Sequence, residues 1–138
     1  MNEMHQRIAA SFSAQGLMAT LGAQLVSVED GEVQIGLPFS QRISQQHGYA
    51  HAGAITSIVD SACGYAALTQ AAPGCEVVSA EFKINLMRPA VGDRFLAIGK
   101  VQSSGKRLSV CTGEVRAFSG DTYKVIALMQ ATIVQVRS

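Results

Sequence analysis

The stretch from Gln45 to Gly74, QQHGYAHAGAITSIVDSACGYAALTQAAPG, decides how the rest of the chain is read. From Ala54 to Ala71 it is one apolar segment whose only charged residue is Asp60. His47, Gly48, His51 and Gly53 crowd its entry, and Pro73-Gly74 breaks it. Interruptions at Thr56, Ser57, Asp60, Ser61, Thr69 and Gln70 make it a core helix rather than a membrane span. A helix apolar nearly all round has to be enclosed by other elements.

The flanking segments supply that enclosure. Residues 3–14 have helical spacing, with Ile8 and Phe12 four apart, and Gly16 is expected to end that element. AQLVSVEDGEVQIGLPF (23–39) reads as a hairpin about Asp30-Gly31, with Val33, Ile35 and Leu37 on one face. In VVSAEFKINLMRP (77–89) a period of two sets Val78, Ala80, Phe82, Ile84 and Leu86 opposite Ser79, Glu81, Lys83 and Asn85. Strands over 94–102, 108–118 and 124–136 follow, with turns at Ser103-Ser104-Gly105 and Ser119-Gly120-Asp121. The expected architecture is α+β: one domain, residues 1–138, with a curved antiparallel sheet wrapped around a long central helix.

Composition narrows the function. The chain has 138 residues, 48% hydrophobic and only 15% charged, which suggests that part of its surface is covered by a second copy. A net charge of +1 with no basic patch interleaved with aromatics excludes nucleic acid as the expected partner. Cys63, Cys75 and Cys111 are widely spaced and odd in number, so no disulfide framework and a reducing cytoplasm are expected. The N-terminal residues lack an uninterrupted apolar core and do not read as a signal peptide. No metal is expected: His47 and His51 precede the helix, and no third ligand accompanies them. Cys63 lacks an evident base, and Met18, Met87 and Met129 read as core filler.

The front of the helix carries the chemistry. Free amides at a helix start favour anions and developing oxyanions, so Ala52 and Gly53 are candidates to polarise an acyl carbonyl. Asp60 is the candidate to activate or supply a nucleophile, although a lone acid in a buried helix is commonly a hydrogen-bonded structural group. Gly53 and Asp60 share a helix face but lie roughly 10 Å apart at ~1.5 Å rise per residue. Both must come within ~3 Å of one carbonyl, so a single helix cannot supply them. Two antiparallel copies related by a two-fold axis can, which implies a homodimer with two equivalent interfacial sites.

HAGAITSIVDSA (51–62) resembles the motif of the hotdog-fold thioesterases, in their phenylacetic-acid-type (PaaI-like) acyl-CoA branch. LMATLGAQL, GEVQIGLP, HGYAHAGAITSIVDSACGYAA, FKINLMRPAVGD and GKRL fall in that family's order, spanning nearly the whole chain. The resemblance implies acyl-CoA as substrate, no cofactor beyond the CoA of the substrate itself, and homodimers that pair into tetramers. It also implies that His51 orients the site, Ala52 and Gly53 bind the oxyanion, and Asp60 is the catalytic carboxylate. Gln45 is similar to a residue that contacts the thioester or the water, and Ser79 to one placed beside the carboxylate. Ser79 falls on the polar face by period two, and a bulge would reconcile this. Ala52 departs from the motif's first glycine; its amide survives. Arg88, Lys106 and Arg107 are the candidate cations for CoA phosphates. Asp60 as base or as nucleophile stays open. The rivals are a non-catalytic acyl-CoA-binding dimer and a hydratase, whose own motifs are missing.

Overall fold

Asn2 starts the fold by capping α1 (Glu3–Ala14), its side-chain oxygen accepting the His5 amide at 2.8 Å. The structure, a computed structural model, describes residues 2–137. Gly16 does not end α1; it opens a second short helix, α2 (Gly16–Leu21). The break falls at Gln15, whose backbone is extended and whose side-chain nitrogen donates to the Tyr65 hydroxyl at 2.9 Å. A tertiary contact therefore sets the break, not local propensity. Asp30-Gly31 then turns β1 (Gln24–Glu29) into β2 (Glu32–Pro38), and a 3-10 turn at Gln41–Ile43 leads to α3 (Ala52–Leu68).

Helix α3 stops short of Pro73-Gly74. Its C-cap is Thr69, whose hydroxyl bonds back to the Ala66 carbonyl and also accepts the Gly31 amide of the β1–β2 turn. Four strands follow: β3 (Cys75–Leu86), β4 (Arg94–Ser104), β5 (Leu108–Ser119) and β6 (Thr122–Arg137). All pairings are antiparallel, in the order β1-β2-β4-β5-β6-β3. β4 runs two residues beyond the expected end, with a bulge between Val101 and Ser103. β3 begins two residues earlier than expected and forms a free edge of the sheet.

Strand β3 is where a simple period of two fails. Ser79 pairs with Ile133, but Glu81 pairs with Thr132, so Ala80 is an inserted bulge residue. The extra residue shifts the phase. Val77 and Ser79 precede it, and Phe82, Ile84 and Leu86 follow it, all on the face of α3. Val78 and Ala80 are not part of that row, contrary to the alternating pattern.

The helix lies on β2 to β6 and buries Ile55, Ile58, Val59, Ala62 and Cys63 there. Each buried Ile or Val contributes about 1.5–3 kcal/mol. What lets α3 settle so close is a glycine pair, Gly99 of β4 opposite Gly113 of β5. A Cβ at Gly99 would collide with the backbone of Ala62 and Cys63. One at Gly113 would lie 2.5 Å from Val59 Cγ2 and 3.0 Å from Cys63 Sγ. We expect Gly99→Ala to destabilise the fold by roughly 1–3 kcal/mol through overpacking, read from urea unfolding midpoints. An unchanged midpoint would show that the helix does not need this seat.

Candidate active site

His51 is the N-cap of α3, and it caps with its ring. Its Nδ1 accepts the Gly53 amide at 2.7 Å, while its carbonyl accepts the amides of Ala54 at 3.0 Å and Ile55 at 3.3 Å. An accepting Nδ1 carries no proton, so the neutral ring holds its proton on Nε2. The ring lies so near the first turn that a Cβ on Gly53 would sit 2.9 Å from Nδ1. The helix-start pair is thus split. The Gly53 amide is taken by His51, and among the described residues only the Ala52 amide of the two has no acceptor.

Gln45 closes the preceding loop on itself. Its Oε1 accepts the amides of His47 at 2.6 Å and Tyr49 at 3.2 Å, and its own amide donates to the Tyr49 carbonyl at 2.8 Å. Its Nε2 has no partner among the described residues. Gln45 and Ala52 line one cavity of ≈ 330 Å³ with Ile55, Leu86, Met87 and Arg88.

Asp60 lies elsewhere. Half-buried, it accepts the Ser79 hydroxyl on Oδ1 at 2.6 Å, a contact that the Ala80 bulge makes possible. The two line a second cavity of ≈ 170 Å³ with Ser11, Gln15, Tyr65 and Glu76. A polar chain backs it: Ser61 Oγ donates to Gln15 Oε1 at 3.2 Å, and Tyr65 Oη lies 3.2 Å from Ser11 Oγ. Sequence reading missed Gln15 and Tyr65 because no local pattern marks a contact between residues fifty apart in the chain. Ser57, between the two ends, spends its hydroxyl on the Gly53 carbonyl at 2.7 Å.

The structure therefore brings Asp60 to Ser79 and Gln45 to Ala52, but it keeps these pairs in different cavities. The cations separate likewise. Arg88 follows the end of β3 and donates through Nη1 to the Val125 carbonyl at 2.6 Å. Lys106 and Arg107 lie in the β4–β5 turn, where the Arg107 carbonyl accepts the Gln135 amide at 2.8 Å near the start of β3. Burial above all, helped by neighbouring Cys111 and Asp60, drives the Cys63 thiol far up, so it supplies no thiolate. Burial likewise pushes the Cys111 thiol up to about 11. No described helix is long and apolar enough to cross a membrane.

A helix cradled in one six-stranded antiparallel sheet, with a capped polar helix start and a serine-held carboxylate, defines a hotdog-fold protein. The thioesterase superfamily profile matches residues 47–124. A thioesterase family protein from Silicibacter pomeroyi is 37% identical, with TM-score 0.95 over 98% of this chain and 99% of that one. The acyl-coenzyme A thioesterase PaaI of Escherichia coli is 25% identical over 111 residues, 80% of this chain and 77% of that protein. The 1,4-dihydroxy-2-naphthoyl-CoA hydrolase of Listeria monocytogenes is 25% identical over 118 residues, covering 86% and 94% respectively. This chain belongs to the thioesterase superfamily, and it is a hotdog-fold thioesterase.

Two outcomes follow from this geometry. Gly53→Ala pushes the His51 ring off the helix start and loses a cap worth about 1 kcal/mol, visible as a changed imidazole ¹⁵N signature. A wild-type-like spectrum would contradict the cap. Among the thiols, half-buried Cys75 should react with Ellman's reagent at pH 8 while Cys63 and Cys111 wait for unfolding. Because unfolded Cys111 ionises first, its contribution to stability is complete below pH 9 and is lost as pH rises towards about 11. Rapid reaction of all three native thiols would contradict this burial.

Proposed function

We propose that this chain hydrolyses an acyl-CoA thioester at a site shared between two subunits, with Asp60 of one facing the Ala52 amide of the other. The observation that carries the reading is the separation of Ala52 and Asp60 into different cavities along one helix. Gly53, Ser57, Asp60 and Gly64 form a small, polar stripe of α3 that its own sheet leaves uncovered. Beside that stripe runs the free edge of β3, which exposes Val78 at 51%, Phe82 at 40%, Leu86 at 50% and Met87 at 44%. A long apolar edge calls for a partner strand. Two β3 edges meeting antiparallel would bring two α3 stripes together in opposite directions.

In that arrangement the thioester carbonyl oxygen accepts the Ala52 amide and gains charge as a nucleophile adds to carbon. With Asp60 as base, water forms the new C–O bond and loses its proton to the carboxylate. With Asp60 as nucleophile, a mixed anhydride forms and water then cleaves it. Either way the C–S bond breaks, and the CoA thiolate leaves with a proton from solvent or the carboxyl. Ser79 holds the carboxylate in place, and Gln45 Nε2 is available to position the thioester or water. His51 fixes the helix start. Arg88, Lys106 and Arg107 would meet CoA phosphates from the two subunits. No cofactor takes part. The likeness to the acyl-coenzyme A thioesterase PaaI supports CoA as carrier; the same reading has dimers pairing into tetramers and a cytoplasmic setting that keeps the three thiols reduced.

A panel of aryl- and alkyl-CoA substrates followed by free-thiol release tests the reading. Asp60→Asn should lower kcat by about 10³-fold with little effect on binding. Turnover at the original rate would end the mechanism. Ala52→Pro removes one N–H at a helix position where proline fits, so kcat should fall by roughly 10²–10³ while helicity by circular dichroism holds. Tight binding of acyl-CoA with no product from any substrate would replace the enzyme with a binding protein.

A further inference from the structure

A cavity of ≈ 460 Å³ adjoins the half-site at the helix start. Its wall includes Arg88, Ser119, Thr122, Lys124 and Ile126, and it shares Arg88, Pro89 and Ile126 with the cavity at the helix start. The two cavities therefore adjoin, one reaching Ala52 and the other the β5–β6 turn. Lys124 is the odd residue in it. It pairs with buried Ala117, which is 6% exposed, so it stands on the row that faces the core side of the sheet. On that row an apolar residue is the rule. Lys124 is exposed at the strand's end, and among the described residues its side chain makes no ion pair or hydrogen bond.

Arg88 stands next to it. The Met87 amide donates to the Ile126 carbonyl at 2.8 Å, and the Arg88 guanidinium donates to the Val125 carbonyl, one residue from Lys124. That bond uses one nitrogen and leaves the others for a ligand. The turn beyond is braced: Asp93 accepts the Gly120 amide at 3.0 Å, and Arg94 donates to the Gly120 carbonyl at 3.2 Å. Asp93 is thus occupied, and Asp121 is the remaining acid of the turn. Arg88, Lys124 and the Ser119 hydroxyl make a site for phosphates beside the helix-start cavity, the Thr122 hydroxyl being spent on the Ser119 carbonyl at 3.1 Å.

Resting on the thioesterase reading above, we propose that Lys124 and Arg88 bind the phosphorylated nucleotide end of CoA in this cavity. The thioester would lie at Ala52, with the pantetheine arm running along Pro89 and Ile126. The test compares phenylacetyl-CoA with phenylacetyl-pantetheine, which has the same reacting bond and no nucleotide. Lys124→Gln should shrink the preference for the CoA substrate, as a ratio of KM values, by roughly tenfold. Adenosine 3′,5′-bisphosphate should inhibit the unaltered protein competitively and the variant correspondingly less. An unchanged preference in Lys124→Gln overturns the assignment, as does a loss of preference confined to Lys106→Gln and Arg107→Gln. Cleavage of acyl-CoA by the unaltered protein tests the function separately, so either idea can fail alone.

Discussion

Eight residues of helix separate Ala52 from Asp60, and eight residues of α-helix span about 12 Å. In the proposed mechanism that distance is the constraint on which the rest depends. A carbonyl carbon needs an amide and a carboxylate within hydrogen-bond reach at once, and a rigid rod cannot fold back to offer both. The surrounding structure does nothing to shorten the gap. It fixes the two ends independently, one by a histidine cap and a self-closed loop, the other by a serine on the neighbouring strand. An uncovered helix stripe and the free apolar edge of β3 lie alongside.

The sheet serves this by holding the rod at a set height and angle. Gly99 and Gly113 let the backbone of α3 sink towards β4 and β5, which turns Gly53, Ser57, Asp60 and Gly64 away from the core. Side chains at those two strand positions would lift the helix and change where Asp60 emerges relative to Ser79. The bulge at Ala80 does comparable work on the strand side. Without the inserted residue, Ser79 would keep the phase of Glu81 and face outward, leaving the carboxylate without its partner. Packing and site are therefore settled by the same few contacts.

Much of this was legible in the sequence, and the failures have physical causes. The long helix, the Asp30-Gly31 hairpin and the succession of strands show in periodicity because hydrophobic faces repeat locally. Helix rise alone was enough to separate Gly53 from Asp60. Period two misplaced Ser79 because a bulge changes phase without changing composition. Gly16 looked like a stop, but the break is drawn to Gln15 by Tyr65 on a distant helix. The glycine seat under α3 was invisible, since a glycine in a strand says nothing of which backbone approaches it. The Ala52 and Gly53 amides looked equivalent until the ring of His51 was seen to take one of them.

The central claim is that neither chain owns a working pocket, and a heterodimer tests it most directly. One chain would carry Asp60→Asn, the other Ala52→Pro, each with a different affinity tag, and the doubly tagged dimer would be purified. One of its two sites then contains an intact Asp60 and an intact Ala52, contributed by different chains. The account predicts about half the wild-type rate of thioester cleavage from this hybrid, although each variant homodimer is nearly inert. A hybrid as inactive as its parents would mean that each chain completes its own site, and the shared-site account would be wrong.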